Sequence, residues 1–141
     1  MNLKNILQGI ENIKGKGNFD IDIESIENDS RNENKNGLFF AIKGYTVDGT
    51  AFIKDAISKG AIAVVVEEGT DLRKVRVGED ITLIVVPNIR KSMAIASSNF
   101  YGNPSKKMKL IGITGTKGKT TTTFMVKEIL EKQGYKVGLI G

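Results

Sequence analysis

Glycines at 112, 115 and 118, two lysines and three threonines crowd the stretch Gly112-Ile-Thr-Gly-Thr-Lys-Gly-Lys-Thr120. These residue types at this spacing suit a polyphosphate. Glycines let the backbone turn tightly and aim several N–H groups at one point. A helix starting beside them adds partial positive charge to the same place. Lys119 supplies a full charge for the β/γ-phosphates, and Thr120 a hydroxyl for Mg²⁺. An apolar run at 108–113 precedes the loop and a helical pattern at 120–133 follows it. The common G-x-x-x-x-G-K-[ST] loop needs glycine at 113, where the chain has Ile113. A flexible basic turn is the plain alternative, and the strand and helix signals on both sides weigh against it. The predicted ligand is therefore a nucleoside triphosphate.

Such a loop needs a layered α/β frame. Asn2 is placed to cap a first helix, with Leu3, Ile6, Leu7, Ile10 and Ile13 at helical spacing until Gly15 and Gly17. Phe19, Ile21 and Ile23 alternate with Asp20, Asp22 and Glu24, which predicts a half-exposed strand and makes the carboxylates its solvated face. Continuous apolar runs at 38–42, 61–66 and 81–86 predict strands covered on both faces. A helix over 50–59 burying Phe52, Ile53, Ala56 and Ile57, and another from Asn88 to about Tyr101, separate them. Strands alternating with helices predict an α/β fold with a largely parallel sheet. Residues 103–107 read as a linker. Beyond them comes one β–loop–α–β unit at 108–141, too small to bury both faces of a sheet. The chain is thus expected to hold one complete domain, residues 1–105, and the start of a second nucleotide-binding domain.

The chain has 141 residues, no Cys and no His, which removes thiol chemistry and disfavours zinc. No apolar run approaches the ~20 residues that span a bilayer, so no membrane segment is expected. Residues 1–105 carry 13 Lys+Arg and 14 Asp+Glu, a net of −1, whereas 106–141 carry eight Lys and two Glu, a net of +6. The positive charge thus lies with the loop, where polyphosphate would bind. No aromatics interleave with these lysines, so nucleic acid is not the expected partner.

Two further loops flank the strand signal at 38–42, one directly before it and one after it. Asp29-Ser-Arg31 and Gly44-Tyr-Thr-Val-Asp-Gly49 suit either tight turns or contacts to a polar ligand at a sheet edge. Thr121 is placed to reach phosphate, while Thr122 and Thr123 suit packing or capping.

Several of these segments, in order, resemble one family. They are Asp29-Ser-Arg31, Gly37-Leu-Phe-Phe-Ala-Ile-Lys-Gly44, Asp48-Gly49, Lys59-Gly-Ala-Ile-Ala-Val-Val-Val66, Phe100-Tyr-Gly-Asn-Pro-Ser105 and Ile111-Gly-Ile-Thr-Gly-Thr-Lys-Gly-Lys-Thr-Thr-Thr122. Together they resemble the Mur ligases, the ATP-dependent amide-forming enzymes of peptidoglycan precursor synthesis. The glycine spacing at 112, 115 and 118 is that family's own. The Phe-Tyr-Gly-Asn-Pro-Ser element most resembles the branch that adds a third, diamino residue, lysine or diaminopimelate, to UDP-N-acetylmuramoyl-L-alanyl-D-glutamate.

The resemblance implies a cytoplasmic, three-domain ligase working through an acyl phosphate. Residues 1–105 would bind the UDP-muramoyl-peptide substrate and 106–141 would open the central ATP-binding domain. Ser30, Tyr45, Thr46 and Val47 would contact substrate. Gly115, Thr116, Lys117, Gly118, Lys119, Thr120 and Thr121 would cradle ATP, with Lys119 as the catalytic cation and Thr120 beside Mg²⁺. The remaining domains of the parent would be its partners, and these 141 residues alone would be inactive. The branch adding D-alanyl-D-alanine and a non-catalytic nucleotide-sugar-binding module are the alternatives. Asn28, Thr50 and Lys117 depart from the residues usual in the diamino-acid branch.

Overall fold

Leu38 and Phe40 face one side of a strand, Phe39 and Ala41 the other, and all four are buried. Such a strand needs cover on both faces, and the computed structural model, which describes residues 1–44, 48–73 and 75–140, supplies it. The chain divides into two units, Met1–Pro104 and Ser105–Gly141.

The first unit is a five-stranded sheet in the order β1-β5-β4-β3-β2. Its strands are β1 (Lys14–Lys16), β2 (Ser25–Glu27), β3 (Gly37–Phe40), β4 (Ala61–Glu67) and β5 (Thr82–Val86). Strands β2 to β5 run parallel, and β1 is an antiparallel edge on β5, pairing Gly15 with Ile84. Helices α1 (Leu3–Ile6) and α3 (Ile89–Phe100) bury Leu3, Ile6, Ile89 and Ala96 against Phe40, Val65, Ile84 and Val86. Helix α2 (Ile53–Ser58) places Ile53 and Ala56 on the other face, against Phe39, Val64 and Val66. Val75 and Ile81, from the β4–β5 connection, complete that layer. The apolar runs predicted as two-sided strands are β3, β4 and β5.

Three local expectations need correction. The first helix was predicted to run to Ile13 but is a single turn, with the chain leaving it through Gly9 at φ +84°. Ile10 and Ile13 still pack on the core, and residues 14–16 instead pair with β5. Gly15 permits this, because a Cβ there would stand 2.5 Å from the Leu83 carbonyl oxygen and 2.7 Å from the Phe19 ring. Residues 19–24 alternate in burial as predicted but do not form a ladder; the strand lies one step on, at Ser25–Glu27. The backbone of 21–23 is already taken: Leu3 N–H donates to the Ile21 carbonyl and Ile23 N–H to that of Met1, both at 2.8 Å. Lastly, Phe52 was predicted to be buried. A 3₁₀ turn, Gly49–Phe52, precedes α2 and leaves its ring 39% exposed.

Helix α3 starts as predicted. Asn88 Oδ1 accepts from Lys91 N–H at 2.9 Å, and Glu67 Oε1 accepts from Ile89 N–H at 3.1 Å. Each cap satisfies an amide that the helix cannot. Asn88→Ala is expected to lower stability by about 1 kcal/mol in a urea titration. An unchanged midpoint would mean that Glu67 holds the helix start alone.

A 3₁₀ turn, Pro104–Lys107, spans the boundary between the units, and the second unit holds helix α4 (Lys119–Lys132), which buries no residue. Gly134 closes α4: its N–H donates to the Glu131 carbonyl at 2.9 Å and that of Tyr135 to Leu130 at 3.1 Å. The flanking segments, 108–113 and the stretch after the helix, were predicted as strands and are not strands in the structure. A strand needs a neighbour for its N–H and C=O groups, and none stands in this unit among the described residues. Lys109 Nζ lies 5.8 Å from the Tyr135 ring centroid, so a cation–π contact links the two segments.

Candidate functional site

A helix usually begins with a Ser, Thr, Asp or Asn whose side chain accepts an amide proton. Helix α4 begins with Gly118, at φ +76° and ψ 0°, and has no side-chain cap. That left-handed conformation favours glycine, and a Cβ at 118 would meet nothing within 4 Å. Thr122 N–H donates to the Gly118 carbonyl at 2.9 Å. The N–H groups of Lys119, Thr120 and Thr121 precede it, in the turn where a helix offers no carbonyl partner. Three exposed amides, a helix N-terminus and no competing side chain make a seat for an anion.

Lys119 is folded back over that seat, donating from Nζ to the Gly115 carbonyl at 2.7 Å. A phosphate oxygen is a stronger acceptor than a neutral carbonyl, so the ammonium can exchange one for the other. Lys117 is exposed beside it and makes no ion pair among the described residues. The threonines divide as their positions suggest. Thr122 Oγ1 donates to Gly118 O at 2.9 Å and Thr123 Oγ1 to Thr120 O at 2.7 Å, so these hydroxyls serve the helix. The hydroxyls of Thr116, Thr120 and Thr121 make no hydrogen bond among the described residues. The Thr120 hydroxyl is thus open, as one oxygen ligand for a hard cation such as Mg²⁺ would need to be.

The second group of candidates lies in the first unit. Asp29 Oδ1 accepts from Arg31 N–H at 2.9 Å, and the Arg31 guanidinium grips the carboxylate from Nε at 2.9 Å and Nη2 at 2.7 Å. Asp29 therefore serves the turn, as an Asx turn does. Between them, the Ser30 hydroxyl makes no hydrogen bond among the described residues. The Arg31 side chain, through its hydrogen bonds, lowers the Asp29 carboxyl from 3.8 to about 2. A depressed pKa gives stability that is full above the unfolded value and lost as pH falls through the folded one. Asp29→Asn is thus expected to be less stable at pH 7. The gap should close as pH falls from 3.8 towards about 2. Because the pair faces water the effect is small; a gap constant with pH would show that the carboxylate charge plays no part.

Tyr45, Thr46 and Val47, predicted to contact substrate, lie outside the described residues. Their flanks are held firmly. Lys43 and Asp48 form an antiparallel bridge, and Asp48 Oδ1 accepts from Thr50 N–H at 3.0 Å. Arg90 Nη2 donates to the Lys43 carbonyl at 3.2 Å. Gly49 is buried, where a Cβ would strike the Ile42 carbonyl oxygen. Ser30 follows the carboxyl end of β2 and Gly44 that of β3, neighbouring parallel strands of the kind whose carboxyl ends bind ligands in α/β sheets. Sequence reading missed Lys59 and Arg90. No local signal marks them, since their partners lie 28 and 47 positions away.

Comparison with known proteins adds three findings. Residues 22–101 match the profile described as "Mur ligase family, catalytic domain". The UDP-N-acetylmuramoyl-L-alanyl-D-glutamate--2,6-diaminopimelate ligase of Clostridium tetani is 54% identical over 141 residues, all of this chain and 29% of the relative. The ligase of the same description from Clostridium botulinum is 52% identical over the same span. Among solved structures, crystal structure I of MurF from Acinetobacter baumannii superposes with a TM-score of 0.67 at 24% identity, over 93% of this chain and 27% of that one. The chain spans about three-tenths of the length of these relatives. Among the described residues no helix is long and apolar enough to cross a membrane.

Proposed function

The chain belongs to the Mur ligase family, and we propose that it is part of an ATP-dependent ligase adding diaminopimelate to UDP-N-acetylmuramoyl-L-alanyl-D-glutamate. The observation that carries this reading is identity of 54% across the whole chain, including the glycine-rich loop, to a ligase so named. The alternative, addition of D-alanyl-D-alanine, has weaker support. A ligase described by that reaction, from Acinetobacter baumannii, is only 24% identical.

In this reading residues 1–105 bind the UDP-bearing substrate through Ser30 and the segment Tyr45, Thr46 and Val47. Residues 106–141 bind ATP. The open amides at the start of α4 take phosphate oxygens, and Lys119 neutralises charge on the transferring group. Thr120 would be one protein oxygen for Mg²⁺, which when bound would supply positive charge to the phosphates. A substrate carboxylate oxygen attacks the γ-phosphorus and ADP leaves. The incoming amine then attacks the acyl carbon, the phosphate leaves, and the amine nitrogen loses a proton. Little covalent chemistry falls to the protein, so its part is placement and charge. The reaction consumes ATP and belongs in the cytoplasm.

Phosphate release by the full-length protein is the test. It is expected only when ATP, the UDP-dipeptide and diaminopimelate are all present. Release of equal rate without diaminopimelate, or with lysine in its place, would overturn the assignment. Residues 1–141 alone are expected to release none.

A further inference from the structure

One residue holds the Ser30 loop at both ends. Lys59, just past α2, donates from Nζ to the Arg31 carbonyl at 2.7 Å. Its own carbonyl accepts from Asn34 N–H at 3.1 Å. Asn34 is 1% exposed, and its carbonyl in turn accepts from Gly37 N–H at 3.0 Å, at the start of β3. The far end of the loop is therefore sewn into the sheet. The near end, residues 29–31, is joined to that anchor through the Lys59 ammonium. Residues 28–36 contain no helix or strand that would hold them otherwise. Ser30 sits inside the clamped turn, with Asp29 and Arg31 engaged on either side and its own hydroxyl unused.

We infer that Lys59 is a positioning residue for the UDP-bearing substrate: by fixing the Arg31 carbonyl it presents the Ser30 hydroxyl in its binding geometry. The inference rests on the substrate role proposed for Ser30. A loop ordered before binding need not lose its freedom when substrate arrives, and affinity rises accordingly. Ser30 would contact a part of the substrate remote from the reacting carboxylate. An interaction made equally in ground and transition states acts on KM and leaves kcat unchanged.

The experiment uses the full-length ligase with Lys59→Met, which keeps the aliphatic stem and removes the ammonium. Ser30→Ala is made in parallel. Lys59→Met is expected to raise KM for the UDP-dipeptide roughly three- to tenfold, the range for one charge-assisted bond near the surface. The values of kcat and of KM for ATP are expected to stay put, and Lys59→Arg, which still donates, to recover most of the loss. An unchanged KM in Lys59→Met with a raised KM in Ser30→Ala overturns the role of Lys59 and leaves that of Ser30 standing. Unchanged KM in both variants overturns both. A fall in kcat together with a lower thermal midpoint would mean that Lys59 supports the fold only, and overturns the inference.

Discussion

Replacing Lys119 with alanine in the full-length ligase is expected to slow ATP-driven amide formation by about 10²–10³-fold, the usual loss when one charge-stabilising donor is removed. The ammonium already lies over the loop, on the Gly115 carbonyl, and needs only to exchange that acceptor for a phosphate oxygen. The negative charge on the transferring group is spread most widely in the transition state, so the loss is expected in kcat more than in KM for ATP. Lys119→Arg should recover little, because a compact ammonium on a flexible stem and a planar fork are not interchangeable. Measuring ADP release at saturating ATP distinguishes the outcomes. An unaltered kcat would remove Lys119 from the reaction and reduce the loop to a basic turn. A circular dichroism spectrum matching that of the unsubstituted ligase would show that the loss is not one of folding.

Phe40→Ala is expected to cost about 3–5 kcal/mol, against a total of ~5–15 kcal/mol for a typical domain. Phe40 is 0% exposed, in the layer that α1 and α3 close over β3, β4 and β5. Removing its ring takes apolar surface out of the core and leaves a cavity that close-packed neighbours fill only in part. A denaturant titration gives the number. The informative companion is Phe52→Ala, expected to stay within about 0.5 kcal/mol because that ring is partly exposed. Equal losses at both sites would contradict the placement of Phe52 outside the core.

That pair of phenylalanines shows how far the sequence could be read. Phe40 lies in a continuous apolar run, the pattern of a strand covered on both sides, so its burial followed from pattern alone. Phe52 also fitted a pattern, the apolar stripe of a helix. Asp48 instead caps a 3₁₀ turn ahead of α2, which rotates Phe52 off the stripe. Residues 19–24 erred for a related reason. Their alternation marked the inward side chains correctly, but which backbone pairs with which depends on a partner, and residues 1–3 had already taken it. In the glycine-rich loop, glycine spacing, Lys119 and the helix start were all legible, because the loop is built from neighbours in sequence. The open N-cap at Gly118 needed coordinates, since glycine there equally suits a turn that a nearby side chain fills.

The sequence by itself determined the apolar strands, the caps at Asn2 and Asn88 and the glycine-rich loop before α4. Each is a local matter of side-chain period, cap chemistry or glycine placement, settled within a few residues. Only the tertiary structure decided the order β1-β5-β4-β3-β2, the antiparallel edge at Lys14–Lys16 and the clamp of Lys59 on the Ser30 loop. Those contacts join residues far apart in the chain. Closing such a loop costs entropy that changes only slowly with its length. Many pairings are therefore almost equally open to the unfolded chain. The choice among them falls to the buried faces that must meet, and no short stretch of sequence records which ones do.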